Sequence, residues 1–183
     1  MLSWMKSRAQ DRRTALDFYG AIVARARRPV FFADHGVLDT PEGRTAMIIL
    51  LMFPLLDRLQ AGDARDCRLA RLLIETFVTD VDDSLREMGV GDLSVPKKVK
   101  RAAQALGERC LAYRSAAASA EPVKALAREI TTTVPGLDAK PIGAEALARV
   151  TLEAVAGIRN VPTAKLLAAL AEFPELSIPG GAA

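Results

Sequence analysis

The sequence predicts an all-α, single-domain bundle of about six to seven helices. Three observations carry that expectation. Half of the 183 residues are apolar but only 5% are aromatic, so the core is made of Leu, Ala, Val and Ile, which suits packed helices better than paired sheets. Long stretches repeat apolar residues every three or four positions. Short connections join them, and no alternating strand pattern interrupts them.

Taken in order, a first helix is expected over about Arg8–Arg27, with Leu16, Tyr19, Ile22, Val23 and Ala26 inward, stopped by Pro29. A loop from Pro29 to Thr40 follows, holding Phe31, Phe32 and the only histidine, His35. Thr40-Pro41 is a helix start: a hydroxyl N-cap, proline at the first helical position, then Glu42 favourable to the dipole. The helix it opens carries the apolar run Ala46–Leu56, ends near Gln60 and should be central, with a kink at Pro54. A third helix, Ala64–Met88, has the clearest stripe: Leu69, Leu72, Leu73, Thr76, Phe77, Val81, Leu85 and Met88, capped by Gly89. Ser94 is the expected N-cap of a fourth, Val95–Ala117, whose inward face runs through Val99, Leu106, Cys110 and Tyr113. Shorter helices are expected over Glu121–Thr132, Ala144–Gly157 and Thr163–Ala171, separated by Pro135-Gly136 and by Pro141 with Gly143. We divide the chain into an N-terminal segment (1–13), a helical domain (14–172) and a flexible tail (173–183).

Composition excludes several functions. A formal charge of +3, with a pI near 9.1, is small for a nucleic-acid binder, and no DNA partner is expected. Cys67 and Cys110 are far apart and read as isolated thiols. One histidine and two distant cysteines do not make a common Cys/His metal site, and no cofactor is expected. P-loop, Rossmann and nucleophile-elbow patterns are absent. A catalytic triad would have to use His35 with Asp34 or Asp39, and a loop histidine is expected to be a solvent-exposed spectator. The acidic group Asp80, Asp82, Asp83 and Glu87 lacks the second aspartate-rich helix that a diphosphate–magnesium site needs. No apolar run reaches the ~20 residues that span a bilayer, and the N-terminus lacks the apolar stretch of a secretory signal, so a cytoplasmic protein is expected.

The most informative stretch is Asp80–Arg101, where charges oppose the helix dipoles on both sides of a turn. Asp82, Asp83 and Glu87 crowd a helix C-terminus, and Lys97, Lys98 and Lys100 crowd the next N-terminus, at about 0.3–1 kcal/mol per misplaced charge. Pairing across a tight hairpin returns roughly 0.2–1 kcal/mol per pair. Two readings stay open: an ionic hairpin satisfied within itself, or a docking edge whose charges serve a partner. Arg65, Arg68 and Arg71, three apart on the third helix, read as a solvated face, with ribosomal RNA or anionic headgroups as the other reading. Trp4 with Leu2 and Met5 offers a shallow interfacial anchor or a frayed helix start.

The run Leu85–Lys98 (LREMGVGDLSVPKK) closely resembles the signature of the ubiquinol–cytochrome c chaperone family. Tyr19–Val23, Phe31–Asp34 and Asp39–Arg44 are similar to that family too, and the likeness spans roughly Thr14–Ala156. Leu106-Gly107-Glu108 departs from it, standing where relatives tend to have an aromatic pair and glycine. The resemblance implies an all-helical, non-enzymatic chaperone for assembly of the cytochrome bc1 complex, with the cytochrome b subunit as client. It also implies work near the ribosomal exit tunnel, peripheral contact with the inner membrane (matrix side in mitochondria) and, in mitochondrial members, a small partner protein. The expected contacts are Asp80, Asp83, Arg86, Glu87, Asp92, Lys97 and Lys98, with Gly89 and Gly91 shaping the turn and Tyr19, Phe31 and Phe32 secondary. The alternative of another class is an RNA- or ribosome-binding helical module without chaperone activity.

Overall fold

A computed structural model describes residues 2–172; of residues 2–5 only the backbone is described. Among the described residues there are eight α-helices, one 3-10 turn and no strand. The helices are α1 (Leu2–Ala26), α2 (Pro29–Ala33), α3 (Pro41–Gln60), α4 (Ala64–Glu87), α5 (Val95–Ala117), α6 (Pro122–Thr133), α7 (Pro141–Ile158) and, after the 3-10 turn Thr163–Lys165, α8 (Leu166–Ala171). The one additional α-helix and the 3-10 turn have simple origins. Pro29 begins a one-turn helix in what reads as loop, and the last segment splits into a 3-10 turn and α8.

α3 is the axis, as its apolar run predicts. It packs against α1, α4, α5 and α7, and every residue from Ile49 to Leu56 is buried. Thr40 caps it through Oγ1, which accepts from the Gly43 amide at 3.1 Å. Asp39 adds a two-pronged clamp on Arg44, with Nε–Oδ1 at 2.6 Å. The Asp39–Arg44 motif is therefore built as a helix start. Phe53 of α3 meets Tyr113 of α5 edge to face, centroids 5.6 Å apart. The Tyr113 hydroxyl continues to Thr133 of α6 at 2.6 Å.

Three expectations change. On α1 the buried set is Ala15, Phe18, Tyr19, Ile22 and Ala26, because this helix is pressed between α3, α4 and α8. Leu16 faces out, 58% exposed. His35 is not a solvent-exposed spectator. It is only 1% exposed, and its Nε2 finds no hydrogen-bond partner among the described residues. Burial pushes its pKa down, and neighbouring Asp34 partly opposes that. The cause is a close junction: Leu38 donates to the Pro135 carbonyl at 2.9 Å, and Gly143 lies against the His35 carbonyl. That approach leaves no room for a Cβ, so Gly143 lies inside α7, which starts at Pro141 rather than at Ala144. Third, the arginine face of α4 is structural in part. Arg65 (2.9 Å) and Arg68 (3.6 Å) both reach Asp11 of α1, which is 2% exposed. The expected tail after Phe173 and the side chains of Leu2, Trp4 and Met5 lie outside the described residues.

Candidate functional site

Two neighbouring features gather most of the charged candidates. The first is the turn between α4 and α5. α4 ends when Gly89 adopts φ +75, which lets the Val90 amide reach back to the Leu85 carbonyl at 3.0 Å and the Gly89 amide to Arg86 at 3.0 Å. Gly91 has no such backbone requirement, so only one of the two expected glycines shapes the turn through its φ. α5 then starts at Val95 as expected, but Ser94 makes no side-chain cap; the Ser94 and Val95 amides donate to the Gly91 carbonyl instead.

Val95 is fully buried and anchors this turn to the body. Two positions away, Leu93 is 98% exposed. Met88, expected on the inner stripe, follows the end of α4 at Glu87 and is 54% exposed. Neither the stripe nor the charge pattern in the sequence distinguished these two apolar side chains from core. Leu93 is the functional candidate that sequence reasoning missed; its signal was a lone leucine between the polar residues Asp92 and Ser94.

The charges around the turn divide. Arg86 spans Asp82 (Nε–Oδ2, 2.7 Å) and Asp92 (Nη1–Oδ1, 3.0 Å), so these three satisfy one another on the acidic side. Lys97 and Lys98 are exposed and form no ion pair among the described residues, and the same holds for Asp83 and Glu87. The hairpin is thus neither wholly self-satisfied nor wholly free.

The second feature is an open groove of about 440 Å³ between α1 and α4. Asp11 meets Arg65 and Arg68, and further along both helices Tyr19 meets Asp80, so the two helices run in the same direction. The Tyr19 hydroxyl donates to Asp80 Oδ2 at 2.8 Å. Burial first, then that carboxylate, raises the Tyr19 pKa above its ordinary value, so the hydroxyl stays protonated and the bond persists. Tyr19, Asp80 and Asp83, 64 positions apart at the extremes (83 − 19), therefore line one wall-to-wall site, although Asp80 is already engaged within the fold. Phe31 is 1% exposed and Phe32 half-buried, both packed in the core cluster; as folded, Phe31 presents no surface.

A second cavity, about 720 Å³, lies between α3 and the segment after α7. Its polar wall is occupied: Arg58 holds Asp66 (3.0 Å) and the Val161 carbonyl (3.1 Å), and Thr163 donates to Asp66 at 2.6 Å. Among the described residues no group of three or more His, Cys, Asp or Glu side chains is placed to hold a metal ion. No helix there is long and apolar enough to cross a membrane.

Residues 33–173 match the family model described as Ubiquinol-cytochrome C chaperone. The whole chain is similar to a solved structure described as the crystal structure of the Cbp3 homolog from Brucella abortus. The two share 30% identity, the match covers 97% of each chain, and the TM-score is 0.79. No curated protein matches the chain. α1, which forms one wall of the groove, precedes the stretch that the family model matches, whereas α4 and the turn lie within it.

Proposed function

The chain belongs to the ubiquinol–cytochrome c chaperone family, and from that premise we propose that it is a non-catalytic assembly chaperone of the cytochrome bc1 complex that binds newly made cytochrome b. It acts on the cytoplasmic side, peripheral to the inner membrane, or on the matrix side in a mitochondrial setting. The observation that carries the binding mechanism is the α4–α5 turn: Leu93 stands almost wholly in solvent beside Met88, and Lys97 and Lys98 flank it without internal partners. An apolar anchor surrounded by uncommitted charge suits a membrane-protein segment, which combines apolar stretches with polar ends. The RNA-binding alternative gains little from the arginine face of α4, since Asp11 holds Arg65 and Arg68 and leaves only Arg71 without a carboxylate partner among the described residues.

The decisive test replaces the gene with a Lys97→Glu/Lys98→Glu version and follows mature bc1 complex and the cytochrome b absorption spectrum, beside a gene deletion. The expected result is loss of both in the deletion and a marked reduction in the charge-reversed strain. Normal bc1 complex in the deletion strain removes the chaperone reading. Normal assembly with the reversed lysines, in a protein that keeps its helical content, removes the turn as the contact.

A further inference from the structure

The groove between α1 and α4 is a separate feature from the turn, and its chemistry is specific. Its apolar floor comes from Leu16, Leu72 and the ring of Tyr19. Leu16 is the one large apolar side chain of α1, among those described, that is exposed. Glu75 and Asp83 stand on the α4 side, eight residues or about 12 Å apart along the helix. Neither forms an ion pair among the described residues. Arg12 is the only cation among the lining residues, against Glu75, Asp80 and Asp83. Glu75 lies at the middle of α4, and Asp80 and Asp83 follow in its C-terminal half. The groove therefore sets three carboxylates against one lining cation over an exposed leucine; Asp80 is bonded to Tyr19 and Asp83 lies near Arg86, while Glu75 has no ion-pair partner among the described residues.

We propose that this groove docks a short helical segment of a membrane-protein client that carries Lys or Arg beside apolar side chains, its apolar face against Leu16, Leu72 and Tyr19 and its cations against Glu75 and Asp83. The proposal rests on the chaperone reading above. Three carboxylates against one lining cation favour a cationic partner over nucleic acid or anionic headgroups. Membrane proteins concentrate Lys and Arg in the loops that remain on the cytoplasmic side, directly next to apolar spans. Those are the loops a chaperone on that side meets first. Two turns of a docked helix span the distance from Glu75 to Asp83. The same α4 continues to the turn at Glu87, about 18 Å beyond Glu75, so groove and turn form one edge on which a client segment and its continuation sit together.

The test uses the full chain and fluorescence anisotropy with three labelled helical peptides of about fifteen residues. One carries a leucine stripe flanked by arginines, the second the same stripe flanked by glutamates, the third arginines with serines replacing the leucines. The first peptide is expected to bind most tightly, and Glu75→Lys/Asp83→Lys is expected to weaken it about tenfold while improving the glutamate peptide. Leu16→Asp should weaken the two leucine-striped peptides. If charge reversal lowers the helical content of the protein, Glu75→Gln/Asp83→Asn takes its place, with about a threefold to fivefold loss expected. Equal binding of the arginine and glutamate peptides, or affinities indifferent to all groove variants, overturns the proposal. So does anionic-vesicle binding that the groove variants abolish. A cellular arm separates this failure from that of the chaperone reading. Normal bc1 complex in the Glu75→Gln/Asp83→Asn strain, with the deletion strain defective, sinks the groove alone. Normal bc1 complex in the deletion strain sinks the reading beneath it.

Discussion

Replacing Leu93 with alanine separates contact from folding more cleanly than any other single change in this protein. The side chain is 98% exposed, so folding removes almost none of it from water. The expected stability change is within about 0.5 kcal/mol, or roughly 2 °C in Tm for a domain of this size. A client that buries the same side chain gains what folding does not use. Removing three carbons at about 0.8 kcal/mol each, less incomplete burial, gives about 2 kcal/mol, or roughly a thirtyfold rise in Kd. The internal control is Leu73, fully buried on α4, whose truncation to alanine is expected to cost about 2–5 kcal/mol. Thermal denaturation followed by circular dichroism gives the stability arm, and fluorescence anisotropy with cytochrome b fragments gives the affinity arm. A Tm loss in Leu93→Ala comparable to that in Leu73→Ala shows that the turn is packed and not free. Unchanged affinity refutes the turn as an anchor.

Other outcomes follow from the same geometry. Gly89→Ala is expected to destabilise by about 1–2 kcal/mol, since φ +75 is left-handed, whereas Gly91→Ala should be neutral or stabilise by up to about 1 kcal/mol; Tm shifts of the same sign in both would contradict the turn geometry. His35 has a folded-state pKa below its ordinary 6.5, so above pH 6.5 both states are neutral and stability does not depend on it. Below that value the unfolded chain takes up a proton that the native state resists, so stability falls with decreasing pH by at most about 1.4 kcal/mol per unit until the folded pKa is reached. Urea titrations between pH 7.5 and pH 5 should show this slope, about those limits being set by the histidine range, and His35→Gln should remove it. Burial pushes the Cys110 thiol up to about 12, while Cys67 is partly exposed, so native protein should show one rapidly reacting thiol toward Ellman's reagent, lost in Cys67→Ser. Two rapid thiols in the native chain refute the burial of Cys110.

The parts of the fold legible in the sequence are those where local chemistry and tertiary demand agree. α3 and α5 begin and end at the expected residues, because Thr40-Pro41 and Val95-Pro96 fix where each helix starts and small or polar residues fix where each stops. α1 was read less well, since a helix packed on three sides does not display a single stripe, and Leu16 looks no different in sequence from Phe18. The burial of His35 was invisible for a related reason: it depends on residues about a hundred positions away, where Gly143 of α7 lies against His35 and Pro135 accepts from Leu38. At the turn, sequence reasoning located the segment and left open whether its lysines pair within the hairpin. It overlooked Leu93, and it did not foresee that Arg86 binds Asp82 and Asp92 while Tyr19 engages Asp80. Charge counting finds clusters; which members are already spent depends on rotamers and on a helix 60 residues away.

The α3–α4 hairpin ties down both ends of the chain within a few residues. Arg58 and Asp66 receive Val161 and Thr163, and Arg65 receives Asp11. α8, the last of the described helices, then packs against α1, the first. This makes the molecule a latch closed by its final segment. A ribosome-bound chain lacking Thr163–Ala171 leaves α1 without its last neighbour and Asp66 without one of its donors. A protein that stops short of α8 is therefore expected to show its defect at α1, and so in the groove, at the far end of the sequence from the cut.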